Sequence, residues 1–190
     1  MKTKLLILTA AMSFAFAGGA MALTKDDYKA GMTKVSADYK VNKDKCSALS
    51  SNAKDICQAE AKGMEKVAKA ELESQYKPSA KNTEKVAWAR GDATYDIAKE
   101  KCDDLAGNAK DVCVKDAKAA HVKAKEDAKV VKVSTTTSQD KNAKVMDARK
   151  DANAEKREAD YKAAAERCDS LSGASKDSCV TAAKTQFGMK

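Results

Sequence analysis

Six cysteines, the only ones in this 190-residue chain, share one spacing. They form three pairs with ten residues between the members of each: Cys46 and Cys57, Cys102 and Cys113, Cys168 and Cys179. Each pair lies in the repeated pattern Tyr-x6-Cys-x2-Leu-x5-Asp-x-Cys. Cysteines that bind zinc or exchange disulfides usually lie two residues apart, because both sulfurs must reach one metal or each other from a single turn. The wider spacing indicates structural disulfides, and we predict no metal site and no cofactor.

The first 22 residues have the features of an export signal. Lys2 and Lys4 supply positive charge, residues 5–17 are apolar, and Ala20-Met21-Ala22 is a small-x-small cleavage site. A retained membrane anchor is the competing interpretation, but the apolar run is shorter than the roughly 20 residues that a bilayer requires. We predict cleavage before Leu23, no transmembrane segment afterwards, and a periplasmic location, with secretion as the alternative. An even number of cysteines in an exported chain is typical of disulfides.

The residues before each cysteine pair predict an amphipathic helix, because apolar and small residues recur there at alternating steps of four and three. These positions are Tyr28, Met32, Val35, Tyr39, Asn42, Cys46 and Leu49 in the first copy, and Trp88, Gly91, Tyr95, Ala98, Cys102 and Leu105 in the second. A continuous helix through a pair would separate its cysteines by about 16 Å, at about 1.5 Å per residue, which forbids a disulfide. We therefore predict an all-α fold of three antiparallel helical hairpins, each stapled by its own disulfide, in an elongated or loosely bundled repeat.

Turn signals lie between the cysteines of each pair. Gly107 or Gly173 can adopt the left-handed conformation that ends a helix. Asn52 and Asn108 are favourable N-caps, with an aspartate three residues later as in a capping box. We expect the first helix to run as far as Leu105 in the second copy and to turn there.

Breaks between the hairpins divide the mature chain. Pro78 should end the second arm of the first hairpin, and Asn82 or Thr83 can cap the next helix. The polar run 134–138 has poor helix propensity and marks the second break. We predict a signal peptide at 1–22 and hairpins at 23–78, 79–134 and 135–190, with a short second arm in the third.

The predicted core is thin, because 34% of the residues are charged and only 5% are aromatic. In the first hairpin we expect the core to consist of Tyr28, Met32, Val35, Tyr39, Leu49, Ile56, Met64, Val67 and Leu72. The free energy gained by burying so few large side chains exceeds the conformational-entropy cost of folding by only a small margin. Closing each loop with a disulfide should add about 2 to 3 kcal/mol.

Charge and motifs give little support for catalysis. The net charge of +8 falls to a modest excess once the signal is removed, and lysines alternate with acids, which indicates a solvated, ion-paired face. We predict no catalytic residues, because no phosphate loop or hydrolase motif is present. We also predict no nucleic-acid partner, because arginines and aromatic residues are few and the chain carries an export signal. The only histidine, His121, is predicted to be a solvated surface residue, and the carboxylates are expected to be exposed.

Three segments resemble a group of small exported bacterial proteins, some of which carry the label of TolA-like cell-envelope biogenesis proteins. The segments are Ala37-Asp-Tyr-Lys40, Glu65-Lys-Val-Ala-Lys-Ala-Glu-Leu72 and the stretch from Cys102 to Cys113. The resemblance implies a Gram-negative periplasmic location and no catalytic residues. TolA itself has a membrane anchor and a folded C-terminal domain, so force transmission between membranes is not implied for this chain.

Three functions fit these features. The leading hypothesis is a non-enzymatic helical protein that binds an envelope protein or itself, in envelope structure or envelope stress. The first alternative is a thiol-based redox or metal buffer that uses the three cysteine pairs. The second is a binder of anionic envelope polymers or lipids.

Overall fold

The computed structural model describes residues 23–136 and 141–190 of the chain, and all regular secondary structure in these ranges is helical. The predicted signal peptide, 1–22, and part of the predicted second break, 137–140, lie outside the described residues. Within these ranges the α-helices are α1 Lys25–Lys45, α2 Ser51–Tyr76, α3 Ala80–Cys102, α4 Gly107–Thr135, α5 Lys141–Arg167 and α6 Gly173–Phe187. Short 3₁₀ turns follow α1 at Cys46–Ala48 and α5 at Cys168–Ser170.

The helices form an antiparallel array in which each helix packs against its neighbours in the chain. The pairs α1/α2, α3/α4 and α5/α6 are the predicted hairpins, and the contacts of α2 with α3 and of α4 with α5 join them into one structure. Because the direction alternates, all three disulfide turns lie at one end of the array. The prediction of three stapled helical hairpins is therefore confirmed.

The helix ends between the first two hairpins differ in detail from the prediction. Helix α2 ends at Tyr76, just before Pro78, as expected from the proline. The N-cap of α3 is Ser79, whose hydroxyl accepts from the Asn82 amide at 3.1 Å. The predicted caps Asn82 and Thr83 are wrong, because the buried Asn82 side chain instead donates to the Lys77 carbonyl at 2.7 Å.

Small residues, rather than large apolar ones, fill the interfaces between helices. The fully or nearly buried apolar side chains are Cys46, Ala61, Ala89, Ala93, Cys102, Ala119, Ala128, Ala152, Ala163, Cys168 and Ala183. Helices α2 and α3 approach so closely that a Cβ added at Gly63 would lie 2.8 Å from the Cβ of Ala93. The predicted core of the first hairpin is wrong in detail, since Leu49 and Met64 are exposed and its other members are only half-buried.

Ion pairs hold the hairpins to one another. Arg90 on α3 pairs with Glu71 on α2 at 2.6 Å, and Lys156 on α5 pairs with Asp127 on α4. These two pairs occupy equivalent positions of the repeat, counted from the cysteines. Each exposed pair contributes at most about 1 kcal/mol, so their role is to fix the register between hairpins.

Helix α4 extends two residues into the predicted break. The hydroxyls of Ser134, Thr135 and Thr136 donate to carbonyls of the preceding turn, which satisfies the last acceptors of the helix. The helix therefore ends at Thr135, within the polar run rather than before it. Within the described ranges, no helix is both long and apolar enough to cross a bilayer.

Candidate functional site

The three disulfide turns have the same local geometry. Their Cα atoms lie 5.6, 5.6 and 5.7 Å apart across Cys46–Cys57, Cys102–Cys113 and Cys168–Cys179. The first cysteine of each pair is fully buried, whereas the second is half-buried. In each turn the leucine amide three residues after the first cysteine donates to that cysteine's carbonyl, at 3.1, 3.0 and 2.9 Å. The repeat therefore builds one rigid turn three times.

A left-handed residue begins the second helix of each hairpin. Ser51, Gly107 and Gly173 have φ of 51°, 55° and 55°. The predicted left-handed glycines are confirmed, although they start the second helix, while the first helix of the second hairpin already ends at Cys102. The first copy places a serine in this conformation, which an L-residue other than glycine adopts at a cost.

The predicted asparagine caps are wrong. The N-cap positions are Ser50, Ala106 and Ser172, and none of them makes a side-chain capping hydrogen bond. Asn52 instead donates its side-chain amide to the Glu100 carbonyl of the second hairpin at 2.8 Å. The local cap rule missed this partner because Glu100 lies 48 residues away in sequence.

The repeated leucine of the pattern is exposed in every copy. Leu49, Leu105 and Leu171, which we call the leucine row, are 43%, 45% and 43% exposed. All three follow the last helical residue of the first arm, and all lie at the disulfide end of the array. Neighbouring members are separated by two helix spacings, or about 16 to 20 Å at the usual interaxial distance. The turns thus present three equally exposed apolar side chains from a fixed backbone.

The sequence pattern placed Leu49 and Leu105 in the helical seam, and that prediction is wrong. The first arm is already in its 3₁₀ turn or past its end when it reaches the leucine, so the side chain leaves the seam. The signal that could have shown this was present in the sequence. The leucine lies next to the predicted turn residues, where helical periodicity no longer applies.

A charged cluster joins the three central helices. Lys66 on α2 donates to Asp92 on α3 at 2.6 Å, and His121 Nε2 on α4 lies 2.6 Å from the other Asp92 oxygen. Lys125 Nζ on α4 lies 4.0 Å from the same carboxylate. Partial burial raises the pKa of Asp92, but the hydrogen bonds from Lys66 and His121 and the charges of Lys66 and Lys125 outweigh it. The pKa therefore lies below its ordinary value of 3.8.

His121 is not the solvated surface residue that was predicted. Its side chain is 19% exposed, bonded to Asp92 and stacked on Tyr95 with ring centroids 4.8 Å apart. The neighbouring Lys125 ammonium lies 5.1 Å from the centroid of the Trp88 ring. Trp88, Tyr95 and His121 thus form part of the contact between α3 and α4, and the histidine links helices.

Two carboxylates that were expected to be exposed are buried. Glu84 on α3 is 6% exposed and pairs with Lys132 on α4 at 2.8 Å. Glu126 is 8% exposed and pairs with Lys129 one turn later at 2.5 Å. A buried carboxylate needs a paired charge, so each lysine compensates the cost of removing an acid from water.

The cysteines serve only as members of disulfide bonds. All six form the three bonds, which leaves no free thiol in the oxidised protein. Within the described ranges, no group of three or more histidine, cysteine, aspartate or glutamate side chains is arranged to hold a metal ion.

Among the described residues, the leucine row is therefore an apolar feature that the repeat builds and leaves exposed in each copy. Comparison of the chain with protein-family models, with curated proteins and with solved structures finds no match to any of them.

Proposed function

We propose that this protein is a non-enzymatic helical repeat protein of the bacterial periplasm that binds another protein of the cell envelope. The disulfides, the export signal read from the sequence and the resemblance to TolA-like envelope proteins support the location. The leucine row supports the binding role and is the observation that carries the proposal.

The leucine row has the properties of a preorganised docking surface. The backbone of each leucine is held by a hydrogen bond to the carbonyl of a fully buried cysteine, so little backbone entropy is lost when a partner covers the side chain. Completing the burial of three leucines that are about half exposed gives roughly 2 to 4 kcal/mol. That is a useful fraction of a moderate binding free energy.

The surroundings of the leucine row define the kind of partner. The neighbouring side chains carry both signs of charge, and some are already paired, as Lys110 is with Asp103 and Lys176 with Asp169 at 3.0 Å each. The binding surface of the partner therefore does not need charges of a single sign. We expect the partner to be a protein with apolar side chains spaced to meet two or three leucines at once, about 16 to 20 Å apart.

The test compares two triple variants of the oxidised mature chain. The row variant carries Leu49→Ser, Leu105→Ser and Leu171→Ser. The control variant removes three apolar side chains elsewhere that are more exposed than the leucines, Met64→Ser, Val131→Ser and Met146→Ser, which are 54%, 48% and 70% exposed. Both variants should keep the wild-type circular dichroism, since all six residues are exposed.

The readout is affinity for an envelope protein captured by the wild-type chain and then purified. We expect the row variant to bind at least about 30-fold more weakly, in line with the loss of about 2 kcal/mol or more, and the control variant to bind as wild type does. Equal binding by the row variant and wild type would refute the proposal. Equal weakening by both variants would also refute it, because general surface apolarity would then explain the capture.

A further inference from the structure

The outer face of α1 is built like the faces by which α3 and α5 dock onto the preceding hairpin. Lys34 lies twelve residues before Cys46, and the residues twelve before the later first cysteines are Arg90 and Lys156. Both of these pair with an acid on the preceding helix, Glu71 and Asp127 respectively. In α1, which is the first described helix, the equivalent position lies on the side away from α2.

The apolar positions of this face follow the same equivalence. Ala37 is exposed, whereas its counterpart Ala93 is 8% exposed where α3 meets Gly63 of α2. Val41 is 55% exposed, whereas its counterpart Ala163 on α5 is 4% exposed. The face therefore has docking residues that meet no described helix.

The charges of the face favour a second copy of the same helix. The stripe Lys34, Ala37, Val41 and Asp44 has a base at one end and an acid at the other, and all four residues are exposed. In an antiparallel pair of α1 helices centred near Tyr39, each Lys34 lies opposite the Asp44 of the other copy, and each Ala37 lies opposite a Val41. Asp44 forms no ion pair with any described residue, so its carboxylate can accept this lysine.

Helix α6 does not carry the charges needed to pair with the α1 face. It contains a single acid, Asp177, and neither of its lysines lies ten residues from that acid, so α6 cannot pair with Lys34 and Asp44 at once. The existing Lys34–Asp38 pair, at 2.7 Å, does not prevent docking, because it is an exposed pair one turn apart on one helix. We propose that two copies associate through their α1 helices, in an antiparallel two-fold contact with Lys34 opposite Asp44. This inference does not depend on the leucine row, which lies at the disulfide end.

The contact is small. The stripe from Lys34 to Asp44 covers about 15 Å of helix, and a single helix pair of this length buries less than the roughly 1,200 Å² of a stable interface. We expect a reversible dimer with a Kd between about 10 µM and 1 mM. An isologous contact closes on itself, so no higher oligomer forms through it.

Sedimentation equilibrium of the oxidised mature chain, from about 5 µM to about 2 mM, tests the contact over this range of affinity. Lys34→Asp and Asp44→Lys should each weaken association at least about tenfold, because each creates two like-charge contacts in the dimer. The double variant K34D/D44K restores opposite charges and should associate within about threefold of wild type. The control is Lys162→Asp, which breaks a comparable exposed pair with Glu158 on α5 and should change nothing.

Four results would overturn the inference. They are a monomer at every concentration, a dimer that neither single variant weakens, a double variant no better than the single ones, and a dimer that K162D weakens as much as K34D does. Thermal melts of the variants at low concentration separate lost association from lost folding, since the monomer should melt as wild type does.

Discussion

Substitution of Gly63 by alanine should destabilise the protein, although alanine is the better helix former. Gly63 lies inside α2, where replacement of glycine by alanine usually gains about 0.5 to 1 kcal/mol. Here the new Cβ would lie 2.8 Å from the Cβ of Ala93 and 3.4 Å from its Cα. Carbon atoms prefer a separation of about 3.5 to 4.0 Å, so the two helices must move apart.

The energetic cost of this clash is set by the position of the Ala93 methyl group, which is attached directly to the backbone. Ala93 has no rotamer that can move away, and overpacking of this kind costs about 1 to 3 kcal/mol. After the gain in helix propensity, we expect G63A to lower the free energy of unfolding by about 1 to 2 kcal/mol. For a chain of this size the melting temperature should fall by about 2 to 8 °C.

Two further variants make the test specific to the contact. Gly31→Ala in α1 is the matched control, because its Cβ would meet Cδ2 of Leu72 at 2.9 Å, at the flexible end of a side chain that can rotate. It should be neutral or stabilising by up to about 1 kcal/mol. The double variant G63A/A93G moves the methyl group across the interface and should be more stable than the two single changes predict by addition. If G63A melts at or above the wild-type temperature in thermal denaturation, the close approach of α2 and α3 is wrong.

Three further predictions concern the disulfides, the charged cluster and the contact between hairpins. Full reduction should lower helicity and the melting temperature measured by circular dichroism, since each closed loop contributes about 2 to 3 kcal/mol, and unchanged melting would contradict this. Asp92→Asn should cost about 1 to 3 kcal/mol in urea unfolding at pH 7. The folded pKa of Asp92 lies below its ordinary value of 3.8, so the carboxylate's contribution to stability is complete above pH 3.8 and is lost as the pH falls through the lowered pKa. The free energies of unfolding of D92N and wild type should therefore converge in acid. An equal difference between them at pH 7 and in acid would argue against this role of Asp92. Asn52→Ala should cost about 1 kcal/mol through loss of the bond to the Glu100 carbonyl, and hydrogen exchange should increase at the α2/α3 contact while the α5/α6 hairpin stays protected.

The hairpins and their disulfides could be predicted because their causes are local. Ten residues between cysteines, turn residues in the middle and helical periodicity on either side leave few other arrangements. The same reasoning placed the end of α2 next to Pro78, because proline restricts the residue before it wherever the chain folds.

The composition of the interfaces could not be predicted from hydrophobicity. Ala61 and Ala93 are buried while Met64 is exposed, because closely packed helices exclude large side chains from the line of contact. Gly63 was the available signal, since a glycine inside a long helix often marks a close backbone approach. The sequence does not identify the helix that packs against Gly63, so the contact with Ala93 could not be predicted from the glycine alone.

The polar contacts were missed because their partners are distant in sequence. Asn52 was assigned to a cap on its own helix, but its partner Glu100 belongs to the next hairpin. His121 was assigned to solvent, but its partner Asp92 lies 29 residues earlier on the opposite arm. Both assignments treated a helix as if it stood alone, whereas packing between helices decided the outcome.

Photo-crosslinking in living cells tests the proposed docking surface most directly. A photoreactive phenylalanine analogue replaces one leucine of the row at a time, and in control strains it replaces Met64, Val131 or Met146. We expect one envelope protein to be crosslinked from all three row positions and from none of the controls. Crosslinks of equal strength from row and control positions, or none from the row, would contradict the role of the disulfide turns as a docking surface.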